Sequence, residues 1–228
     1  MDAIIKQMEL TFLAENFYSK IKYFENIPAV PKRNLILTRL GYRNGVTELN
    51  ENDRVLLEDS IRQGEYLCKP VGAYLIVPVL SISESCIILE NGIRFDSNGL
   101  LKLLNNSRSV VLMAATVGKE VVDRISYEVS QGKAAAGLII DSVASQTADA
   151  ALDWMVQLLR KILVREGKIL TKHRYSPGYG DLPLSYQEEI FKALQLDRLK
   201  MSLTEKFMLI PEKSVIAISG VEEKGEAV

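Results

Sequence analysis

The sequence predicts an α+β fold in which an antiparallel twisted sheet is flanked by helices. Three observations lead there. Short β-branched runs at 73–80, 86–90, 93–95, 110–116 and 214–219 are bounded by turn residues, and Asn91-Gly92 joins two of them in the manner of a tight hairpin. Two stretches, 119–130 and 134–166, carry apolar residues at helical spacing. Strands and helices do not alternate in the βαβα rhythm that builds a parallel sheet.

Taken in order, residues 1–24 read as an amphipathic helix, with Ile5, Met8, Phe12, Phe17, Ile21 and Phe24 near one face, and Pro28 and Pro31 break it. This defines an N-terminal helical arm over 1–34, an α+β domain over 35–221 and a flexible polar tail over 222–228. Asn50 caps a helix running to about Arg62, with Gly64 as its stop. In the 73–80 strand, Pro78 marks an edge position or a bulge. Ser97 caps a short helix ending near Leu104, and Gly118 separates the 110–116 strand from the 119–130 helix. The long helix has a stripe of Ala144, Ala148, Ala151, Met155, Leu158 and Ile162, whose small first half calls for a close neighbour; Gly167 ends the helix. A last helix is expected over 184–194.

Composition narrows the function. The chain has 228 residues, 47% hydrophobic and 25% charged, enough to bury roughly 70–75% of its unfolded surface without metal or disulfide. Its 28 basic and 29 acidic side chains are interspersed, so no broad basic face for nucleic acid is expected. The longest apolar runs fall far short of the ~20 residues that span a bilayer, and no secretory signal opens the chain, so a cytoplasmic protein without membrane contact is expected. Cys68 and Cys86 form no Cys-x-x-Cys pair, and Cys86 reads as a buried thiol. A single histidine, His173, rules out a multi-histidine metal site, and the glycine signatures of dinucleotide and P-loop binding are missing.

One segment concentrates binding chemistry: Lys172-His173-Arg174-Tyr175-Ser176-Pro177-Gly178-Tyr179-Gly180-Asp181. Gly178 and Gly180 permit close backbone approach, and Pro177 stiffens the turn. Arg174 offers a planar fork for a carboxylate, and Tyr179 a flat face for a ring or a cation. The same composition also fits a rigid surface turn. On the long helix Asp141, Ser145, Asp149 and Asp153 recur every four residues, either as a solvated face or, at Asp149, as a carboxylate near a ligand.

Arg174-x-x-x-Gly178-Tyr179 resembles the R-x-x-x-G-Y motif of the activation domain of cobalamin-dependent methionine synthase. Further stretches agree in order: Ala114-Ala115-Thr116-Val117-Gly118, Asp141-Ser142-Val143-Ala144-Ser145, and Leu203-Thr204-Glu205 followed by Met208, Pro211 and Lys213-Ser214-Val215. The similarity covers roughly residues 35–220. After Tyr179 this chain continues Gly180-Asp181, where methionine synthases commonly have proline. The resemblance implies a domain that binds S-adenosylmethionine through Arg174, Ser176, Pro177, Gly178 and Tyr179, with Asp149 nearby. It implies a reactivation subunit that supports reductive methylation of Co(II) cobalamin on a separate cobalamin-dependent methionine synthase or other corrinoid protein, with a one-electron donor such as flavodoxin. Cobalamin would enter only through that partner, because the D-x-H-x-x-G loop that supplies its lower ligand is not in the sequence. No residue here is assigned a catalytic role, since a sulfonium already leaves well. The other reading is a docking module for another corrinoid protein that has lost ligand binding.

Overall fold

The strand Ser109–Thr116 (β5) is buried along its whole length and organises the molecule. The structure is a computed structural model that describes residues 20–224. Alternate β5 side chains point to opposite faces. Val110, Leu112 and Ala114 enter one core cluster, and Val111, Met113 and Ala115 enter another. A strand apolar at every position from Val110 to Ala115 is what a sheet covered on both faces requires.

β5 pairs antiparallel with β2 (Val71–Ile82) on one side and β9 (Ser214–Glu223) on the other. Beyond β2 lie β3 (Ile87–Leu89) and β4 (Arg94–Phe95), while β6 (Lys168–Leu170) pairs with β9 at the far edge. Every pairing among the described strands is antiparallel. One face carries α3 (Asn98–Leu104) and α6 (Tyr186–Leu194), which bury Leu100, Leu104, Ile190 and Leu194 with Phe95. The other carries the long helix α5 (Ala134–Val164), through Ala151, Leu152, Met155, Leu159 and Leu163. The expected α+β class, an antiparallel sheet flanked by helices, is what is found.

Many local signals hold. Asn91 and Gly92 turn the β3–β4 hairpin, with Gly92 at φ 87°. The Ser97 side chain accepts from the N–H of Leu100, and Asn50 accepts from the N–H of Asp53. The helix α4 (Lys119–Ser130) occupies the expected range. The small first half of α5 meets α4 and α2 (Glu51–Leu67), through Ile140, Ala144 and Ala148 with Val121 and Cys68.

Other expectations are corrected. The 1–24 helix falls mostly on residues outside those described, but its end is a strand. Lys22–Phe24 (β1) pairs antiparallel with β2, Tyr23 on one core cluster and Phe24 on the other. Ile21 and Phe24 fit a helical spacing by coincidence; the alternation of Tyr23 and Phe24 across the sheet decides. Gly64 does not stop α2 but lies inside it, where the helix presses on Val143 of α5. Pro78 sits on a strand paired on both sides, next to a register shift between Val79 and Ser81, so the bulge is right and the edge is not. The α5 stripe drifts after Met155, so Leu159 and Leu163 are buried rather than Leu158 and Ile162. The sequence reading also missed α1 (Arg33–Arg39), β6, and the small pair β7 (Ser202–Leu203) and β8 (Leu209–Ile210).

A Cβ at position 64 would lie 2.9 Å from both Cβ and Cγ1 of Val143. Helix propensity favours alanine over glycine by about 1 kcal/mol, whereas overpacking costs about 1–3 kcal/mol. Gly64→Ala is therefore expected to lower the urea midpoint, and combining it with Val143→Ala should cost less than the sum of the two single changes.

Candidate functional site

The loop after β6 runs beside β9, and this pairing decides where its side chains go. The Thr171 N–H donates to the Gly220 carbonyl at 2.9 Å, and the Gly220 N–H donates to Thr171 Oγ1 at 3.0 Å. Tyr175 and Ile218 then exchange both backbone hydrogen bonds, at 2.9 and 2.7 Å. Neighbouring residues on such a ladder face opposite ways. Tyr175 packs on the core cluster that holds Phe95 and Leu182. Arg174 faces α5, where its Nη1 donates to Asp153 Oδ1 at 2.6 Å.

Arg174 and Asp149 open onto one groove of about 480 Å³, bounded by residues 28–35 and the outer face of α5. Asp153, Trp154, Gln146 and Gln157 also line it, with Pro28, Val30 and Lys32 as the opposite wall. Pro28 and Pro31, which read only as helix breakers, hold this wall in an irregular course anchored by buried Ile27, whose N–H donates to the Pro70 carbonyl at 2.9 Å. Trp154 stands edge-on to Phe24 with ring centroids 5.1 Å apart. Burial pushes the Asp149 carboxyl above its ordinary range; Arg174 opposes the shift and Asp153 adds to it.

The four-residue polar stripe on α5 is a partly solvated face, and two of its carboxylates are paired. Lys213 of β9's approach reaches Asp141 at 2.6 Å and Ser145 at 3.0 Å, and Arg174 takes Asp153. Asp149 is left facing the groove. Asp153 appeared in the sequence only as a member of that stripe; its pairing with Arg174 joins residues 21 positions apart and has no local signal.

Ser176, Pro177, Gly178 and Tyr179 lie in the next turn and do not line this groove. Pro177 is buried, Ser176 half-buried, and Tyr179 is 72% exposed. Gly178, at φ 90°, donates its N–H to the Leu182 carbonyl at 2.8 Å. Gly180, at φ 55°, passes so close to the Tyr175 hydroxyl that a side chain there would collide with it. The Gly180-Asp181 pair has a structural purpose. Asp181 accepts from the Ser97 hydroxyl and the Asn98 N–H, both at 2.6 Å, from the Gly99 N–H at 3.2 Å and from the Tyr175 hydroxyl at 3.2 Å. It thereby ties the loop to the start of α3. The Ser97 hydrogen bond, ahead of those from the backbone and Tyr175, holds the Asp181 carboxyl below the usual range.

Among the described residues no cluster of histidine, cysteine or carboxylate side chains is placed to hold a metal ion, and no helix is long and apolar enough to cross a membrane. Burial pushes the Cys68 thiol up to about 11, so it is a packed core group rather than a nucleophile.

No protein-family model matches the chain, and neither does any curated protein. Among solved structures, the crystal structure of the MetH reactivation domain bound to AdoHcy is similar. It superimposes with a TM-score of 0.69 over 92% of this chain and 81% of that one, at 15% sequence identity. The chain therefore shares the fold of that domain.

Two carboxylates predict opposite pH behaviour. The folded-state pKa of Asp181 is lowered, so its stabilisation is present at neutral pH and lost as pH falls through the acid range. Asp181→Asn should melt lower than the parent at pH 7, with the gap narrowing below about pH 4. The folded-state pKa of Asp149 is raised, so its ionised form opposes folding at neutral pH. Asp149→Asn should melt higher than the parent at pH 7, and that gap should also close on acidification. Thermal unfolding of both variants from pH 3 to 8 reads the two signs.

Proposed function

We propose that this chain binds S-adenosylmethionine in the groove between residues 28–35 and α5. The reading rests on one observation: an arginine and two carboxylates converge on a groove of ligand size in the fold of a domain solved with AdoHcy. The charges fit such a ligand. The ligand's carboxylate pairs with the guanidinium of Arg174, which has donors left beyond the Nη1 given to Asp153. Its ammonium and sulfonium lie toward Asp149 and Asp153. Ser176, Pro177, Gly178 and Tyr179 support the reading as the turn that follows Arg174 and holds its loop in place.

The same reading makes the chain a reactivation subunit. A separate cobalamin-bearing methionine synthase or other corrinoid protein supplies the cobalt, and a one-electron donor such as flavodoxin reduces it. The sulfonium of the bound ligand supplies the methyl group. This chain's residues bind and orient that ligand; proximity, not acid–base chemistry, is their contribution. Burial opposes the charge on Asp149, and a group that costs stability beside a groove fits a binding role better than a packing one.

Calorimetry of S-adenosylmethionine and S-adenosylhomocysteine binding tests the assignment. Arg174→Ala should weaken both at least tenfold, about 1.4 kcal/mol. Asp149→Asn should weaken the sulfonium ligand more than the neutral thioether. Unchanged affinity in Arg174→Ala removes the arginine from the site. The pairing of Arg174 with Asp153 favours a second reading, a docking module without ligand; it is selected if neither compound binds while a corrinoid protein still does.

A further inference from the structure

The Arg174–Asp153 pair separates the groove just described from a second one on its other side. This second groove, of about 450 Å³, lies between the C-terminal half of α5 and the loop after β6. Its walls carry Arg160 from the helix and Lys172 and His173 from the loop. Gln157 and the buried Thr171 and Ser219 also line it, the Thr171 hydroxyl donating to the His173 carbonyl at 2.9 Å. The one acidic residue that lines it is Asp153, already engaged by Arg174. Arg160 and Lys172 form no ion pair among the described residues.

The chain as a whole carries a net charge of -1, so cations gathered in one concavity are not a general background. A recess lined by unpaired cations, with its one carboxylate already engaged, focuses positive potential on an anion. Arg160 presents a planar fork and Lys172 a mobile point charge, the two complementary ways of holding a phosphate. The space exceeds what a lone phosphate fills, leaving room for a small carried group. The geometry points to a binding site for a phosphate monoester of a small molecule, or for free phosphate, formed by Arg160, Lys172 and His173. The site stands apart from the first groove's ligand: those three residues do not line the first groove.

His173 is the chain's only histidine, so its imidazole gives a single, self-assigned NMR signal inside the proposed site. The untagged full chain is titrated at pH 7.5 and constant ionic strength with inorganic phosphate and with ribose 5-phosphate, against chloride and acetate. A saturable shift of the His173 signal with either phosphate probe is expected, and whichever binds tighter identifies free ion or ester. Arg160→Gln and Lys172→Gln should each weaken binding, and together at least tenfold, while calorimetric affinity for S-adenosylmethionine stays at the parent's value. Both side chains are exposed, so the variants should melt with the parent. A shift no different from that with chloride or acetate, or parental phosphate affinity in the double variant, overturns the assignment. Failure of S-adenosylmethionine to bind leaves this outcome unaffected, so the two readings fail separately.

Discussion

The backbone exchange between Tyr175 and Ile218 is the constraint on which the candidate site depends. It docks the loop after β6 onto the sheet and fixes its register. Strand geometry then sends Arg174 toward α5 and Tyr175 toward α3. A slip by one residue would exchange the two faces, placing a guanidinium in the Phe95 core and a phenol against Asp153. Burying an unpaired charge in an apolar core is far more costly than the register is worth in hydrogen bonds alone, so the alternative is strongly excluded. The adjacent Thr171–Gly220 contacts reinforce the same register from the other end. Gly220 has no room for a side chain between Ser107, Leu104 and Thr171. The sheet therefore fixes the loop, and the loop fixes the arginine.

The acidic side of α5 illustrates how tertiary partners explain a helix that propensity alone does not. Aspartate is a poor residue for a helix interior. Asp141 and Asp153 are each answered by a cation from distant sequence, Lys213 and Arg174, and both contacts pull later chain onto the helix. Asp149 has no hydrogen bond of this kind, feels Arg174 only across the groove, and bears a burial cost. Sequence spacing put all three on one face; it could not say which would be satisfied and which would be left facing the groove.

Legibility in the sequence followed the range of the interaction concerned. β5, the Asn91-Gly92 hairpin, the Ser97 and Asn50 caps and the bounds of α4 were readable because burial pattern, turn chemistry and capping act within a few residues. β1 was misread since Ile21 and Phe24 suit a helix as well as a strand, and only pairing with Gly72–Tyr74 decides. β6 and β7 are two or three residues long, below the length at which alternation shows. Of the groove's lining, Arg174 and Asp149 were singled out from the resemblance of the loop and of the helix. The Pro28–Lys32 wall, Trp154 and the Asp153 contact were not, because each depends on segments far apart in the chain meeting across the sheet.

The Arg174–Asp153 pair also sets how the guanidinium would meet the proposed ligand. Arg174's side chain is 28% exposed and Asp153's is 51%, so the pair is screened by water and contributes little to stability, on the order of 0–1 kcal/mol. Its value is orientation. It holds a side chain with large rotamer freedom in one arrangement at the junction of the two grooves, so that under the proposed function a carboxylate would meet an arginine already ordered. The Nη2 and Nε donors would remain for that carboxylate, with Asp153 balancing the guanidinium rather than competing for it. An arginine without such a partner would sample solvent and meet its ligand at a higher entropic cost. An arginine locked to a fully buried carboxylate would have no donors to give. The observed half-exposed, single-point contact lies between these limits, where pre-orientation and availability coexist.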